Sequence, residues 1–470
     1  MRLDEQFVKK TILDASIFYD TFPKDPCFSI DSRTLEKGEI FIALQGVHCD
    51  GHEFIKEALD KGAAGLIVAT NKQHLLEQYK NALINKVVIV VKDPLNALCS
   101  LAAAWRSQYD CPVVAITGSV GKTSTKEKIR TILNLHADDY FVSYGNQNTN
   151  IGLALNILRI RSHHKAAIFE VGISRRGEMA ESAALLKPTI ALILNAGHSH
   201  MEGLGSVIDI ALEKRDIFKY FTESNIGIIN GDQSILAQVS YQHPVVKFGS
   251  KTNNQIQVRK IHVGNDYITF ILKVYKTKCS IVLDHTHLGM VYNVAAAAAV
   301  AYLLDVPITT IINGIQKSVA IVGRFEQRFL PTGKGIVIND CYNANPESMK
   351  VSLLAFQHLD TKAQKIVVLG DMLELGVNSP FWHRQLGRFL RKVPSLHHVI
   401  LVGNLVKWTK KTLPLGLSVD LVSSWKEAVN IIKKKLSTES VVLVKGSRAI
   451  GLDNLVMSLT QSNQQKQIGT

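Results

Sequence analysis

The chain has no Cys-x-x-Cys pair: its six cysteines (Cys27, Cys49, Cys99, Cys111, Cys279, Cys341) are scattered. That argues against a structural zinc site and against a disulfide framework, and free thiols are expected. Long apolar runs are also lacking. The longest, VYNVAAAAAVAYLL from Val291 to Leu304, falls short of the about 20 residues a membrane span needs and reads as a buried helix. The first residues, MRLDEQFVKKTILDAS, mix charges into apolar positions and have neither the apolar core nor the small-residue cleavage site of a secretory signal, so a cytoplasmic protein without membrane insertion is expected. No internal repeat is evident, and only Gln461 to Thr470 is low in complexity and expected to fray. The net charge of +14 is not concentrated, with only short clusters such as Lys433-Lys434-Lys435. A nucleic-acid partner is therefore not expected. A solvated surface accounts for the excess, and a basic cleft for phosphorylated substrates is the second reading.

At 470 residues the chain exceeds what one core usually serves, and a length prior of roughly 100–200 residues per domain suggests about three domains. Hydrophobic residues at 46% against 20% charged are the balance of a globular protein with a sizeable core. Residues 1–110 read as a small α/β domain, with a helix-like His52–Gly62, an apolar strand Val87–Val91 and a helix over Leu95–Ser107. Residues 111–322 alternate β-branched runs at Val113, Ala166, Ile190 and Ile226 with helical lengths, the pattern of a mostly parallel sheet covered on both faces. Polar Ser250–Ser280 reads as added hairpins. Residues 323–470 repeat the alternation, with strands at Gly335, Lys365, His398 and Val441, and form a second doubly wound, Rossmann-like domain.

The strongest local signal is ITGSVGKTSTKEKI, Ile116–Ile129, between a strand and a charged helix. Gly118 and Gly121 let the backbone curl so that its N–H groups face a phosphate, and the following helix presents the positive end of its dipole. Lys122 is suited to the β- and γ-phosphates and Thr123 to Mg²⁺, with Ser119 and Ser124 completing the cradle. The general phosphate-loop pattern has a further glycine where this chain has Ile116, so the loop is a shortened TGxxGKT. ATP is the expected nucleotide.

This shortened loop resembles that of the Mur ligases, and further motifs keep the same order. They are GNQNTNIGLAL from Gly145, FEVG from Phe169, NAGHSHMEGLGS from Asn195, ALEKRDIF from Ala211, GRFE from Gly323, NDCYNANPESM from Asn339, GDMLELG from Gly370 and VKGSRAI from Val444. The match is to the branch that adds D-alanyl-D-alanine to a UDP-linked muramoyl tripeptide. The resemblance implies that Glu170, His200 and Lys214 help Thr123 hold two Mg²⁺ ions, Lys214 as a carbamate formed with CO₂. It implies that Asn293 meets adenine, although the family's glycine-x-histidine lead-in is HLGMVYN here. It implies that Arg324 turns toward phosphate and Asp340 toward ATP and its metal. Catalytic roles thereby fall to Lys122, Lys214, His200 and Arg324.

Asn146, Asn148, Asn343, Asn345, Lys445 and Arg448 are implied substrate contacts. YNANP marks the dipeptide branch, and asparagine amides, as donors and acceptors, suit a zwitterionic dipeptide. Ser32 and Arg33, in a DSR that precedes GEIFIALQG, are implied for the UDP end, with Arg33 facing diphosphate. His198, where the family usually has proline, is expected to have no role. Taken alone, a strand-end glutamate is a solvated edge, a loop histidine a surface residue, Lys214 a helix-face lysine and Asn-Ala-Asn-Pro a turn.

The implied function is ATP-dependent ligation by a cytoplasmic monomer that takes the UDP-muramoyl tripeptide and D-alanyl-D-alanine. The rivals are another ligase of the same fold, such as a folylpolyglutamate-type enzyme, a phosphate-loop regulator, and a catalytically inactive homologue.

Overall fold

A computed structural model of the chain describes residues 3–18, 22–46, 49–133, 139–264, 267–284, 287–317, 320–331, 335–359, 363–437 and 439–461. Of the tail expected to fray, residues 462–470 lie outside the described residues. Three sheets follow one another along the chain. The first has five strands in the order Ser16–Phe18, Val87–Val91, Gly65–Ala69, Ile40–Ile42, Phe28–Ser29, parallel except for the first pair. The helix Pro94–Arg106 follows it, with Asp93 capping its N-terminus and proline in its first turn, where a missing N–H costs nothing.

The central sheet has nine strands. Val113–Thr117 lies between Ala166–Glu170 and Ile190–Ile193, parallel to both, and the order continues through Ile226–Asn230 and Val245–Gly249. The polar stretch read as added hairpins supplies Ile256–Val263, Tyr267–Val274 and Thr277–Asp284, an antiparallel meander at one edge. The register pairs Ile116 with Glu170 and Thr117 with Ile193, so three strands end side by side where the order reverses around Val113–Thr117. In an open α/β sheet that is where ligands bind.

The apolar run expected as a buried helix forms most of Leu288–Leu303, in which Ala295 to Ala301 are all essentially inaccessible. Small side chains let this helix lie close against Lys122–Leu133, the helix that leaves the phosphate loop. Among the described residues no helix is long and apolar enough to cross a membrane.

The third sheet has six strands, in the order Glu326–Phe329, Gly335–Asn339, Ser440–Lys445, Gln364–Gly370, His398–Val402, Val419–Val422, parallel apart from the first pair. Pairing Asn339 with Val444 brings the strand ends carrying Asp340 and Lys445 together.

The apolar core does not divide at residue 110. One cluster runs from Phe7, Leu98 and Trp105 into Leu153, Leu158 and Phe169 of the central unit. Polar contacts support the same seam: Trp105 Nε1 donates to Ile160 O at 3.1 Å and Arg106 Nε to Leu186 O at 2.8 Å. The clusters of the third sheet contain only residues from Phe325 onward.

Helix Ile308–Gln316 packs its Gly314 directly on the helix Lys122–Leu133, and a Cβ at 314 would stand 2.5 Å from Ile132 Cα, a backbone atom with no freedom to yield. Gly314→Val is expected to force the two helices apart and to lower stability by about 1–3 kcal/mol, read as a lower urea midpoint with unchanged slope.

Candidate active site

Beyond the three strand ends lies a cavity of about 840 Å³, walled by the central and third units together. Its floor is the phosphate loop. Gly121 has φ +88°, and a Cβ there would meet Asn293 Oδ1 at 2.5 Å, so only glycine suits both the backbone and the close approach. Lys122 Nζ donates to Gly118 O at 2.7 Å. Burial lowers the Lys122 pKa, while Glu170 nearby opposes the shift.

The loop is also held from outside. Asn195 accepts from Val120 N and donates to Val120 O, both at 2.9 Å, and Ser119 Oγ accepts from Gly197 N at 2.9 Å. Lys126, one turn into the helix and fully buried, donates to Ser143 O at 2.9 Å and to Gly145 O. It thereby fixes the asparagine-rich stretch over the loop.

Glu170 is 3% exposed, so the solvated-edge reading fails. Its Oε1 accepts from Asn148 Nδ2 at 2.9 Å, and its Oε2 is buried without a partner. A buried carboxylate oxygen with no donor fits a cation. Thr123 is 8% exposed and stands just behind the wall, where its hydroxyl accepts from Arg324 Nη2 at 3.4 Å. The Arg324 guanidinium also stacks on Tyr342, 3.9 Å from the ring centre.

His200 lines the cavity in the left-handed region at φ +56°, and its Nδ1 lies 2.6 Å from Glu374 Oε2. That contact holds the Glu374 carboxyl below its ordinary pKa. Lys214, expected on a charged helix face, is 1% exposed and behind the wall rather than on it. Burial pushes its pKa well below the ordinary lysine value, with the positive charge of Lys122 adding to the shift and Glu213 opposing it. Among the described residues no group of three or more His, Cys, Asp and Glu side chains could hold a metal alone.

The third unit supplies the roof. Asn343 and Asn345 line the cavity with Lys445 and Asp340. Asn345 does not sit in a turn: it caps the helix Pro346–His358, its Oδ1 accepting from Ser348 N at 2.8 Å. Asn343 Oδ1 accepts from Ala344 N at 2.8 Å. Asp340, assigned to ATP and metal, has its carboxylate engaged within the protein. It accepts from Phe325 N at 3.2 Å and from Ser352 Oγ, and pairs with Lys445 Nζ at 2.8 Å. Lys445 is 2% exposed and donates also to Asn343 O at 3.1 Å, so the pair anchors the asparagine loop.

Asn146, Asn148, Asn293, Ser119 and Ser124 reach the cavity wall as expected, while Gly118 supports it from behind. Ser32, Arg33 and Arg448 do not reach it. Ser32 is buried and donates to Glu57 Oε2 at 2.8 Å, and exposed Arg33 forks onto Asp31 at 2.7 and 2.9 Å. Arg448 points to solvent, 3.6 Å from Asp453.

His198, expected to have no role, lines the cavity with Nδ1 2.5 Å from Glu347 Oε1 and its ring 4.2 Å from that of Trp382. Asn195, Lys126, Tyr342, Glu347 and Glu374 also join the site without a sequence-based assignment. The last two stand inside the NPES and GDMLELG motifs, where a carboxylate beside a site motif is the available signal. The cavity is not a basic cleft: its wall carries six carboxylates (Glu170, Glu178, Asp232, Asp340, Glu347, Glu374) against Lys122, Arg324 and Lys445.

Three family descriptions match: Mur ligase family, catalytic domain, over residues 27–106; Mur ligase middle domain over 116–301; and Mur ligase, glutamate ligase domain, over 323–448. A UDP-N-acetylmuramoyl-tripeptide–D-alanyl-D-alanine ligase of Bacillus subtilis is 31% identical over 436 residues, 92% of each chain. Among solved structures, MurF from Acinetobacter baumannii superposes with a TM-score of 0.82 at 26% identity, covering 98% of this chain and 99% of that one. MurF from Thermotoga maritima in complex with ADP gives 0.76 at 26%, covering 93% and 97%.

Two outcomes follow from the anchoring. Lys445→Met leaves Asp340 as an unpaired buried carboxylate and is expected to cost roughly 3 kcal/mol in chemical denaturation, with Asp340→Asn in the same chain recovering part of the loss. Gly121→Ala is expected to cost about 1–3 kcal/mol of backbone strain and to abolish nucleotide binding in calorimetry, because the loop can no longer close against Asn293.

Proposed function

The chain belongs to the Mur ligase family, and from that premise we propose that it joins D-alanyl-D-alanine to the UDP-N-acetylmuramoyl tripeptide at the expense of ATP. The observation that carries the reading is the facing of two motifs across one cavity, the phosphate loop on its floor and Asn343–Asn345 on its roof. The name of the Bacillus subtilis relative and the ADP bound to the Thermotoga maritima neighbour support the substrates.

In this reading the terminal carboxylate of the tripeptide attacks the γ-phosphorus, an O–P bond forms and the bond to ADP breaks. The amine of the dipeptide, once its ammonium has given up a proton, attacks the acyl carbon, and phosphate leaves as the nitrogen loses a second proton and the amide forms. Lys122 and Arg324 stand at the phosphates and offset charge that builds on their oxygens. Asn343 and Asn345 orient the dipeptide through the amide groups their loop bonds leave free. Glu170, His200, Thr123 and a carbamylated Lys214 would hold two Mg²⁺ ions, which would supply neutralisation of the reacting oxygens' charge. Glu170, with one buried oxygen lacking a donor, is the wall carboxylate that most needs such a cation beside a polyphosphate.

Lys214 is suited to carbamylation because its depressed pKa favours the neutral amine, the form that attacks CO₂ and releases a proton. Asn293 packs against the loop at Gly121 and meets the nucleoside. Ser32 and Arg33 hold the UDP end on the first unit, away from the cavity, with Arg33 exchanging Asp31 for diphosphate. Arg448 is outside the cavity in the arrangement described and joins it only if the third unit moves inward.

Phosphate release from ATP and Mg²⁺ with a UDP-muramoyl tripeptide is expected with D-alanyl-D-alanine and not with single amino acids, yielding a pentapeptide by mass. Release with glutamate or another amine alone would overturn the substrate assignment. Lys214→Ala is expected to lose at least about a hundredfold in kcat and to recover part of it with a short carboxylic acid, and full activity in the untreated variant would remove the carbamate.

A further inference from the structure

Glu347 is a cavity carboxylate that the reaction as derived leaves unused. It stands in the first turn of the helix Pro346–His358, immediately after the asparagine loop. Its Oε1 accepts from His198 N at 3.2 Å and lies 2.5 Å from His198 Nδ1. Its Oε2, turned into the wall, has no donor. The side chain as a whole is 34% exposed and lines the cavity, so the carboxylate borders the open space through its accessible part while Oε2 stays buried.

Location decides what completes it. A Cβ at Gly197 would lie 3.2 Å from Glu347 Cδ, and the Gly197 N–H donates to Ser119 of the phosphate loop at 2.9 Å. The carboxylate therefore stands one residue from a loop shaped for an anion, where two negative charges repel unless a cation lies between them. The cavity's own cations are engaged elsewhere. Lys122 is on Gly118 O, Arg324 on Thr123 and Tyr342, and Lys445 on Asp340 and Asn343. Lys350, on the same helix as Glu347, lies over the rings of Trp382 and Phe389.

We propose that Glu347 binds the ammonium group of the incoming amine substrate, with His198 holding its other face, and so sets the nitrogen between the asparagine loop and the phosphate loop. This rests on the ligase reading above and adds the residue that recognises the amine. It also accounts for His198. Packed on Trp382, the imidazole fixes the carboxylate from the central unit while the helix fixes it from the third. A substrate ammonium then bridges groups that arrive from two units. A divalent cation at the same carboxylate is the competing occupant.

The test compares D-alanyl-D-alanine with D-lactoyl-D-alanine, in which a hydroxyl replaces the ammonium, by competition binding in the presence of the tripeptide and a non-hydrolysable ATP analogue, so that no turnover occurs. The wild type is expected to prefer the ammonium. Glu347→Gln, which keeps the side-chain shape and an acceptor for His198, is expected to lose roughly ten- to a hundredfold of affinity for the dipeptide and none for the hydroxyl analogue. Glu347→Asp, which keeps the charge, is expected to retain the preference. Because binding is read directly, a loss of turnover in either variant does not obscure the result. An unchanged preference in Glu347→Gln overturns the proposal, as does a raised Mg²⁺ requirement with an unchanged dipeptide affinity. If the wild type releases no phosphate with the dipeptide, the ligase reading itself falls and this proposal with it, whereas normal wild-type turnover with an indifferent Glu347→Gln sinks this proposal alone.

Discussion

A short glycine loop has little stiffness of its own, and the amide of Asn195, bonded to both the N–H and the carbonyl of Val120, supplies what the loop lacks. Asn195 is in place because Ile190–Ile193 runs parallel to Val113–Thr117 in a register that ends both strands at one level. Glu170 reaches the same level from the other neighbour. Strand register thus decides where the glycine loop sits, and the asparagine clamp makes that position definite before a ligand arrives, which is the condition for charges to stabilise a transition state without reorganising.

The cavity's electrostatics follow from having two kinds of occupant. A wall made only of lysine and arginine would hold a nucleotide but would repel an amine. Six carboxylates among three cations give a site whose sign changes over a few ångströms. Within it, Asp340 and Lys445 neutralise each other beneath the asparagine loop, and Glu374 is held by His200. Burial of Lys214 beside Lys122 belongs to the same pattern, since a charged amine there would be repelled and desolvated together.

Much of this is legible in the sequence because it is local. The strand, glycines, lysine and helix of the phosphate loop lie within fourteen residues of Ile116–Ile129, and the apolar runs at Val113, Ala166, Ile190 and Ile226 are neighbouring parallel strands. What escapes depends on partners far apart in the chain. His198 and Glu347 are 149 residues apart, and no periodicity links them. Departure from the family's proline makes His198 look dispensable when a ring at that position packs on Trp382. Asn345 reads as a turn or a ligand residue because its amide suits both; capping a helix is a third use that spacing to Ser348 alone could have suggested. Lys214 reads as part of a charged face because burial of a lysine is the exception that composition cannot announce.

The uneven distribution of the core has a consequence for how the molecule comes apart. Apolar clusters join the first two sheets, whereas the contacts found at the third are polar or aromatic: Arg324 to Thr123, His200 to Glu374, His198 to Glu347 and Trp382. On that distribution the first two units are expected to open together and the third separately. Amide hydrogens in the strand Ser440–Lys445 are then expected to exchange through openings that leave Val113–Thr117 protected, and a ligand lying across the seam is expected to couple the two exchange patterns.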